Sequence, residues 1–295
     1  MQITKSRKLI YSDIFQKCKN NKFYNLLGFN QTKIDLSDLK KAFILLNDNS
    51  KYNFRVVNLI NDKISNNISW YDYLENIINI FSEINSDLTE LEKSQSTEYY
   101  TPFYLIDKML DKYPIEDFSN INLRWLDPCN GNGNFIFKLV QRLLKGLENH
   151  KNLESEDIRY KWILENMIYV CEIEPLSMFN YMLLIDPKCE FDIKTCWSSY
   201  LDIYFDYVKE EKWHLYDDTR IIGNPPFKNT ASKLWFRFTN KSLLISNYVN
   251  FILPISFMRS NSKSMVEVRE HIFPSENYFD SVSYTHLTLP TKRIV

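Results

Sequence analysis

The chain has 295 residues, of which 44% are hydrophobic, 15% aromatic and 25% charged, enough for one large domain or two small ones. A net charge of -1 gives no general electrostatic pull toward nucleic acid, so any such contact has to come from a local patch or another region. The five cysteines are odd in number and never spaced C-x-x-C, which argues against a disulfide scaffold and a structural zinc site and for a reduced, cytoplasmic setting.

The segment Met1–Ile10 is basic but has no apolar stretch behind it, so no signal peptide is expected. The apolar runs, such as Phe251–Pro254, are too short to cross a bilayer. Residues 1–95 read as a polar, helical N-terminal region packed on the next domain. Leu36–Leu46 and Trp70–Ile84 carry apolar residues at three-to-four spacing, among them Tyr73, Leu74, Ile77, Ile78 and Phe81, and Ser69 is placed to cap the second helix.

From residue 96 the pattern alternates. Leu123–Leu126, Ile168–Cys171, Phe191–Thr195, Arg220–Ile222 and Tyr248–Leu253 read as strands. Asn134–Leu147, Leu176–Ile185 and Ser232–Ile245 read as helices between some of them. Alternation of this kind predicts an α/β domain over residues 96–282, with a mostly parallel central sheet and helices on both faces. Ligands of such sheets sit beyond the carboxyl ends of the strands. Residues 283–295 differ in composition from the Asn/Lys/Ile-rich body and resemble translated adapter sequence. They are expected to be a non-native tail on a domain whose natural chain continues.

Only five glycines occur, and three of them fall in two short motifs. The first is Leu126-Asp127-Pro128-Cys129-Asn130-Gly131-Asn132-Gly133-Asn134-Phe135. An acidic residue ends a strand, two glycines turn the chain, and a helix begins with its N–H groups and positive dipole end free. The second is Ile221-Ile222-Gly223-Asn224-Pro225-Pro226-Phe227. Two prolines after a strand stop the ladder and restrict Asn224, holding an amide and backbone carbonyls at the strand's end beside an aromatic ring. The histidines His150, His214, His271 and His286 have no ligand spacing, and no metal is expected.

Together these motifs resemble the S-adenosylmethionine-dependent DNA adenine-N6 methyltransferases, in the order with cofactor motifs first, over about residues 95–280. Asp127-Pro128 with Gly131, Gly133 and Phe135 is similar to the family's D-P-x-x-G-x-G-x-F cofactor loop, and Asn224-Pro225-Pro226-Phe227 matches its catalytic N-P-P-F/Y. Tyr100-Thr101-Pro102 is similar to the segment that touches the methionine end of the cofactor. Val170-Cys171-Glu172-Ile173-Glu174-Pro175 looks like the motif whose acidic residue holds the ribose hydroxyls, with Glu172 favoured over Glu174.

The resemblance implies a Rossmann-like methyltransferase domain using S-adenosyl-L-methionine and a base flipped out of double-stranded DNA, in a restriction-modification type of system. Three features depart from the family, the first being Asn130, Asn132 and Asn134 in the cofactor loop, where small residues are commoner. Lys194–Ser199 lacks the acidic residue that usually contacts the cofactor adenine, leaving Ser198 or backbone for that task. A DNA-recognition region, usual in the family, does not follow residue 280 and is expected in a missing part or a partner subunit.

The exocyclic amine of adenine is a poor nucleophile because its lone pair is delocalised into the ring. Acceptors for both N–H bonds, here the Asn224 side-chain oxygen and the Pro225 carbonyl, would pull the nitrogen toward tetrahedral geometry. Two other readings stand beside this one. A protein glutamine-N5 methyltransferase faces the same problem at an amide nitrogen, and a non-catalytic subunit could use the same fold. No nuclease cluster is legible in residues 1–95.

Overall fold

The computed structural model describes residues 55–56, 58–60, 62–63, 68–87, 101–187, 190–196, 199–202, 218–227, 234–254, 261 and 266. Tyr100, Ser198, the Leu36–Leu46 helix, His214, His271, His286 and the tail 283–295 lie outside them.

Helix α1 spans Trp70–Asp87 and α2 spans Phe103–Leu110. A 3-10 turn over Ile115–Ser119 leads into strand β1, Arg124–Asp127. Helix α3 runs Asn134–Gly146 and α4 Glu156–Trp162, continued by a π turn over Ile163–Met167. Strand β2 is Ile168–Cys171, helix α5 Pro175–Ile185 and strand β3 Lys194–Cys196. After a 3-10 turn at Tyr200–Asp202 come β4 (Thr219–Gly223), α6 (Leu234–Leu243) and β5 (Tyr248–Phe251).

All four strand pairings are parallel, and the order is β3-β2-β1-β4-β5. The chain builds outward from β1 through β2 to β3, then crosses back to β4 on the other side. The strand order therefore reverses between β1 and β4, and a crevice opens at their carboxyl ends.

Successive strand residues point to opposite faces, and both faces are covered. Trp125, Ile168, Val170 and Ile222 share one core cluster with residues of α1 to α5. Leu126, Tyr169, Cys171, Cys196 and Ile221 share another with Tyr200, Phe238 and Ile245. This is the doubly wound, Rossmann-like arrangement expected from the alternating pattern, and the near-continuous apolar strands follow from burial on both sides.

Helix α1 packs into the same core. Ser69 caps it as expected, its Oγ accepting from the Asp72 N–H at 3.0 Å. Glu156 of α4 accepts from the Trp70 and Tyr71 N–H groups at 2.8 and 3.0 Å, placing a carboxylate at the positive end of the helix. The Trp70 ring stacks on Tyr160 with centroids 3.8 Å apart.

Strand β3 begins three residues later than the apolar pattern predicts. The Glu190 and Phe191 N–H groups bond to the two Asp186 carboxylate oxygens, each at 2.9 Å, and so are withdrawn from the ladder. The Phe191 ring meets Trp70 and Tyr160 edge-on. Among the described residues no helix is long and apolar enough to cross a membrane.

Candidate functional site

The loops that follow β1 and β4 meet at the strand-order reversal. Leu126 pairs with Ile221, so the two chains leave the sheet side by side. Gly223 permits their close approach: a Cβ there would stand 2.9 Å from Asp127 Oδ1 and 3.4 Å from both Cys129 Sγ and Pro128 Cδ. In the β1 loop, Gly131 and Gly133 take φ of +55° and +99°, which side-chain-bearing residues rarely adopt. At Gly133 a Cβ would also collide with the Tyr181 ring, 2.5 Å away.

Asp127 ends β1 and is wholly buried. Its Oδ1 accepts from the Cys129 N–H at 3.0 Å, while Oδ2 has no protein partner. Burial pushes its carboxyl up to about 8; the Cys129 N–H opposes this and the nearby Glu172 charge adds to it. Burial also raises the Cys129 thiol well above its ordinary value, aided by the Asp127 and Glu172 charges.

Glu172 lies just past the end of β2, anchored by its N–H to the Cys196 carbonyl. Its carboxylate accepts from the Gly131 N–H at 2.7 Å and from the Glu174 N–H at 2.8 Å. Glu172 therefore belongs to the glycine loop, whereas the exposed Glu174 sits at the N-cap of α5.

Two asparagines of this loop are buried and only partly satisfied. Asn130 and Asn134 are 4% and 6% exposed, and the Oδ1 of each lacks a protein partner. Pro128 is buried beside the turn, and Phe135 points into the main core.

Across the crevice, Asn224 is half-buried, Pro225 buried, Pro226 exposed and Phe227 half-buried. Asn224 Nδ2 donates to Thr101 Oγ1 at 3.2 Å, and its Oδ1 has no partner. Thr101 and Pro102 stand at the head of α2, with Pro102 as N-cap. The Thr101 carbonyl also lies 3.4 Å from Asn134 Nδ2. Segments before β1, after β1, after β2 and after β4 thus converge in one corner.

Of the residues singled out in the sequence, Thr101, Pro102, Asp127, Pro128, Gly131, Gly133, Glu172, Asn224, Pro225, Pro226 and Phe227 are brought to this corner. Sequence reasoning noted Asn130 and Asn134 only as unusual; their unpaired oxygens emerge from burial, and one cue was a polar residue at the start of an apolar helix. His150 lies apart, its Nδ1 accepting from the Asn152 N–H. Among the described residues no group of three or more potential ligands could hold a metal ion.

No protein-family model matches the sequence. Over 99 residues it is 34% identical to a Mycoplasma pneumoniae protein described as an uncharacterized adenine-specific methylase. The chain is similar to an adenine-specific methylase. The match takes in 32% of this chain and 23% of that protein, so it spans about a quarter of the relative's length. Among solved structures, a protein assigned as the modification subunit of a type I restriction enzyme from Vibrio vulnificus aligns with a TM-score of 0.46 and 14% identity. That alignment covers 68% of this chain and 43% of the other. A protein assigned as a class I S-adenosylmethionine-dependent methyltransferase from Listeria monocytogenes aligns with a TM-score of 0.44 and 12% identity, over 89% and 78% of the two chains.

Proposed function

We propose that this chain carries the catalytic domain of an S-adenosylmethionine-dependent DNA methyltransferase acting on adenine N6, as part of a restriction-modification system. The observation that carries the reading is the convergence of the Asp127 and Asn224 loops at the β1/β4 crevice, each with an unpartnered buried acceptor. The similarity to an adenine-specific methylase supports it.

The residues fit the cofactor. Asp127, Asn130 and Asn134 present acceptor oxygens without protein partners to a ligand rich in N–H and O–H donors. Asp127, Pro128, Gly131, Gly133 and Glu172 would hold it, with Tyr100, Thr101 and Pro102 at its methionine end and Phe135 bracing the loop from the core. Glu172 is the ribose-binding carboxylate in this reading, because its bond to the Gly131 N–H already sets it in the loop. When bound, the cofactor supplies a methyl group activated by its sulfonium.

The chain's own residues do the rest. Asn224 Oδ1 and the Pro225 carbonyl accept from the two N–H bonds of the target amine and stabilise charge as it develops on nitrogen. Neither group has to be deprotonated. Pro225 and Pro226 stiffen the loop so that the acceptors need little reorganisation. A base within a duplex cannot reach a pocket at the end of a sheet and has to be extruded. Phe227 stacks on the extruded base, a contact worth roughly 1–3 kcal/mol.

The test supplies the intact protein with S-adenosylmethionine carrying a labelled methyl group, together with DNA. Labelled N6-methyladenine is expected, and Asn224→Ala is expected to abolish it while cofactor affinity stays within about twofold. Label appearing on protein glutamine instead would overturn the DNA reading in favour of an amide methyltransferase. Absence of cofactor binding would favour a non-catalytic subunit.

A further inference from the structure

Thr101 touches both halves of the site. Its hydroxyl accepts from Asn224 Nδ2 at 3.2 Å, and its carbonyl faces Asn134 Nδ2 at 3.4 Å. Thr101 is 5% exposed and Asn134 6%, so water does not compete freely for these contacts. The same two amides leave their oxygens, Asn224 Oδ1 and Asn134 Oδ1, without protein partners.

We infer that Thr101 is a positioning residue that acts through Asn224, tethering the amide by its nitrogen so that the oxygen faces the substrate amine. The inference rests on the methyltransferase reading and assigns this threonine hydroxyl a role distinct from cofactor contact.

The chemistry requires such a tether. A carboxamide is nearly symmetric in shape, and rotation by half a turn exchanges an acceptor for a donor. With Nδ2 toward the substrate, Asn224 would meet an amine N–H with another N–H, losing the acceptor and adding repulsion. The prolines after Asn224 restrict its backbone but do not act on this last side-chain torsion. A hydroxyl can accept from Nδ2 and also donate to Oδ1, so it does not distinguish the two orientations by itself. In the reverse orientation the hydroxyl would donate to Oδ1 and leave both amide N–H bonds without a protein acceptor, which is tolerated less well than an unpartnered oxygen, and a threonine rather than a valine is needed for any tether at all.

The scaffold holds Thr101 rigidly enough for the task. Helix α2 follows it at once and buries Phe103, Leu105, Ile106, Met109 and Leu110. Arg142 of α3 grips the same helix through the Asp107 carbonyl at 3.0 Å and the Asp111 carboxylate at 2.6 Å. Asn250 of β5 donates to the Met109 carbonyl at 2.8 Å. The hydroxyl is thus referenced to α3 and β5, on both sides of the crevice.

Thr101→Val keeps the branched shape and the backbone carbonyl and removes only the hydroxyl; Thr101→Ser restores it. In the intact protein at saturating cofactor and DNA, Thr101→Val is expected to lower kcat by about tenfold to a hundredfold, with KM for DNA and cofactor affinity changed less than about threefold. Thr101→Ser is expected to recover most of the rate. A loss of cofactor affinity with kcat unchanged would overturn the inference and make Thr101 a cofactor contact. A lowered melting temperature with kcat unchanged would overturn it in favour of a structural role.

A readout independent of turnover separates this inference from the function it rests on. In protein with 15N-labelled asparagine, the Asn224 side-chain amide protons should exchange slowly in the wild type and in Thr101→Ser, and fast in Thr101→Val. If that pattern holds while DNA adenine is not methylated, the tether stands and the DNA reading falls. If exchange is equally fast in all three, the tether does not exist.

Discussion

At the scale of single residues, Asp127 is unusual in being a wholly buried carboxyl with one oxygen unpartnered and its affinity for a proton raised to about 8. A carboxyl with its folded-state pKa raised keeps its proton in the folded chain while the unfolded chain releases it near pH 4. Its contribution to stability is present below pH 4 and is lost progressively as the pH rises from there to about 8. Asp127→Asn keeps an oxygen for the Cys129 N–H and removes the titration. Urea midpoints measured across pH 5 to 8 are expected to fall in the wild type, by an amount on the order of 1 kcal/mol per pH unit at most, and to stay flatter in the variant. Equal slopes would mean that Asp127 is ionised in the folded chain throughout. Asp127 was legible as the acidic end of a strand. Its unpartnered oxygen was not, because that depends on what the sheet brings beside it.

At the scale of elements, the junction between α3 and the 3-10 turn before β1 is decided by Gly146. Alanine in a helix is ordinarily better than glycine by about 0.5–1 kcal/mol. Here a Cβ at position 146 would stand 2.3 Å from the Phe118 carbonyl oxygen, and that atom belongs to backbone that cannot swing aside. Gly146→Ala is therefore expected to destabilise the chain, by about 1–3 kcal/mol, as overpacking does. A denaturant titration checks the sign, and a stabilised variant would show that the turn shifts freely. Helix α3 itself was legible from its apolar periodicity and its Gly-x-Gly approach. The start of β3 was not, since Phe191 and Ile193 look like strand in isolation while the Asp186 carboxylate takes the N–H groups at 190 and 191. Side-chain capture of backbone donors leaves no mark on the hydrophobic pattern.

At the scale of the whole molecule, one buried ion pair ties the segment before β1 to the neighbouring strand β4. Arg220 of β4 meets Asp117 through two hydrogen bonds of 2.6 and 3.0 Å, and Tyr248 of β5 covers the guanidinium at 3.9 Å. The side chains are 10% and 7% exposed, so neither charge can turn to water if its partner is removed. Asp117→Ala is expected to cost about 3–5 kcal/mol, and a double replacement by apolar residues of similar size, Asp117→Leu with Arg220→Met, considerably less. Chemical unfolding of the two variants measures the difference, and a double replacement that costs as much as Asp117→Ala would show that the charges do not act as a pair.

By itself the sequence determined the parallel α/β sheet, most of its strands and the two loops that flank the crevice. Doubly buried strands have to be apolar along their length, and their exits are marked by Asp127-Pro128 and Asn224-Pro225. The capping of α1 by Ser69 was also written locally, in a serine placed just before a periodic helix. Only the tertiary structure decided which atoms in that crevice are satisfied. Thr101 and Asn224 lie 123 positions apart and meet because α2 is held by α3 and β5. Glu172 joins the glycine loop because β2 lies beside β1. Hydrogen-bond partnership across such separations depends on packing, and packing is a property of the folded chain as a whole.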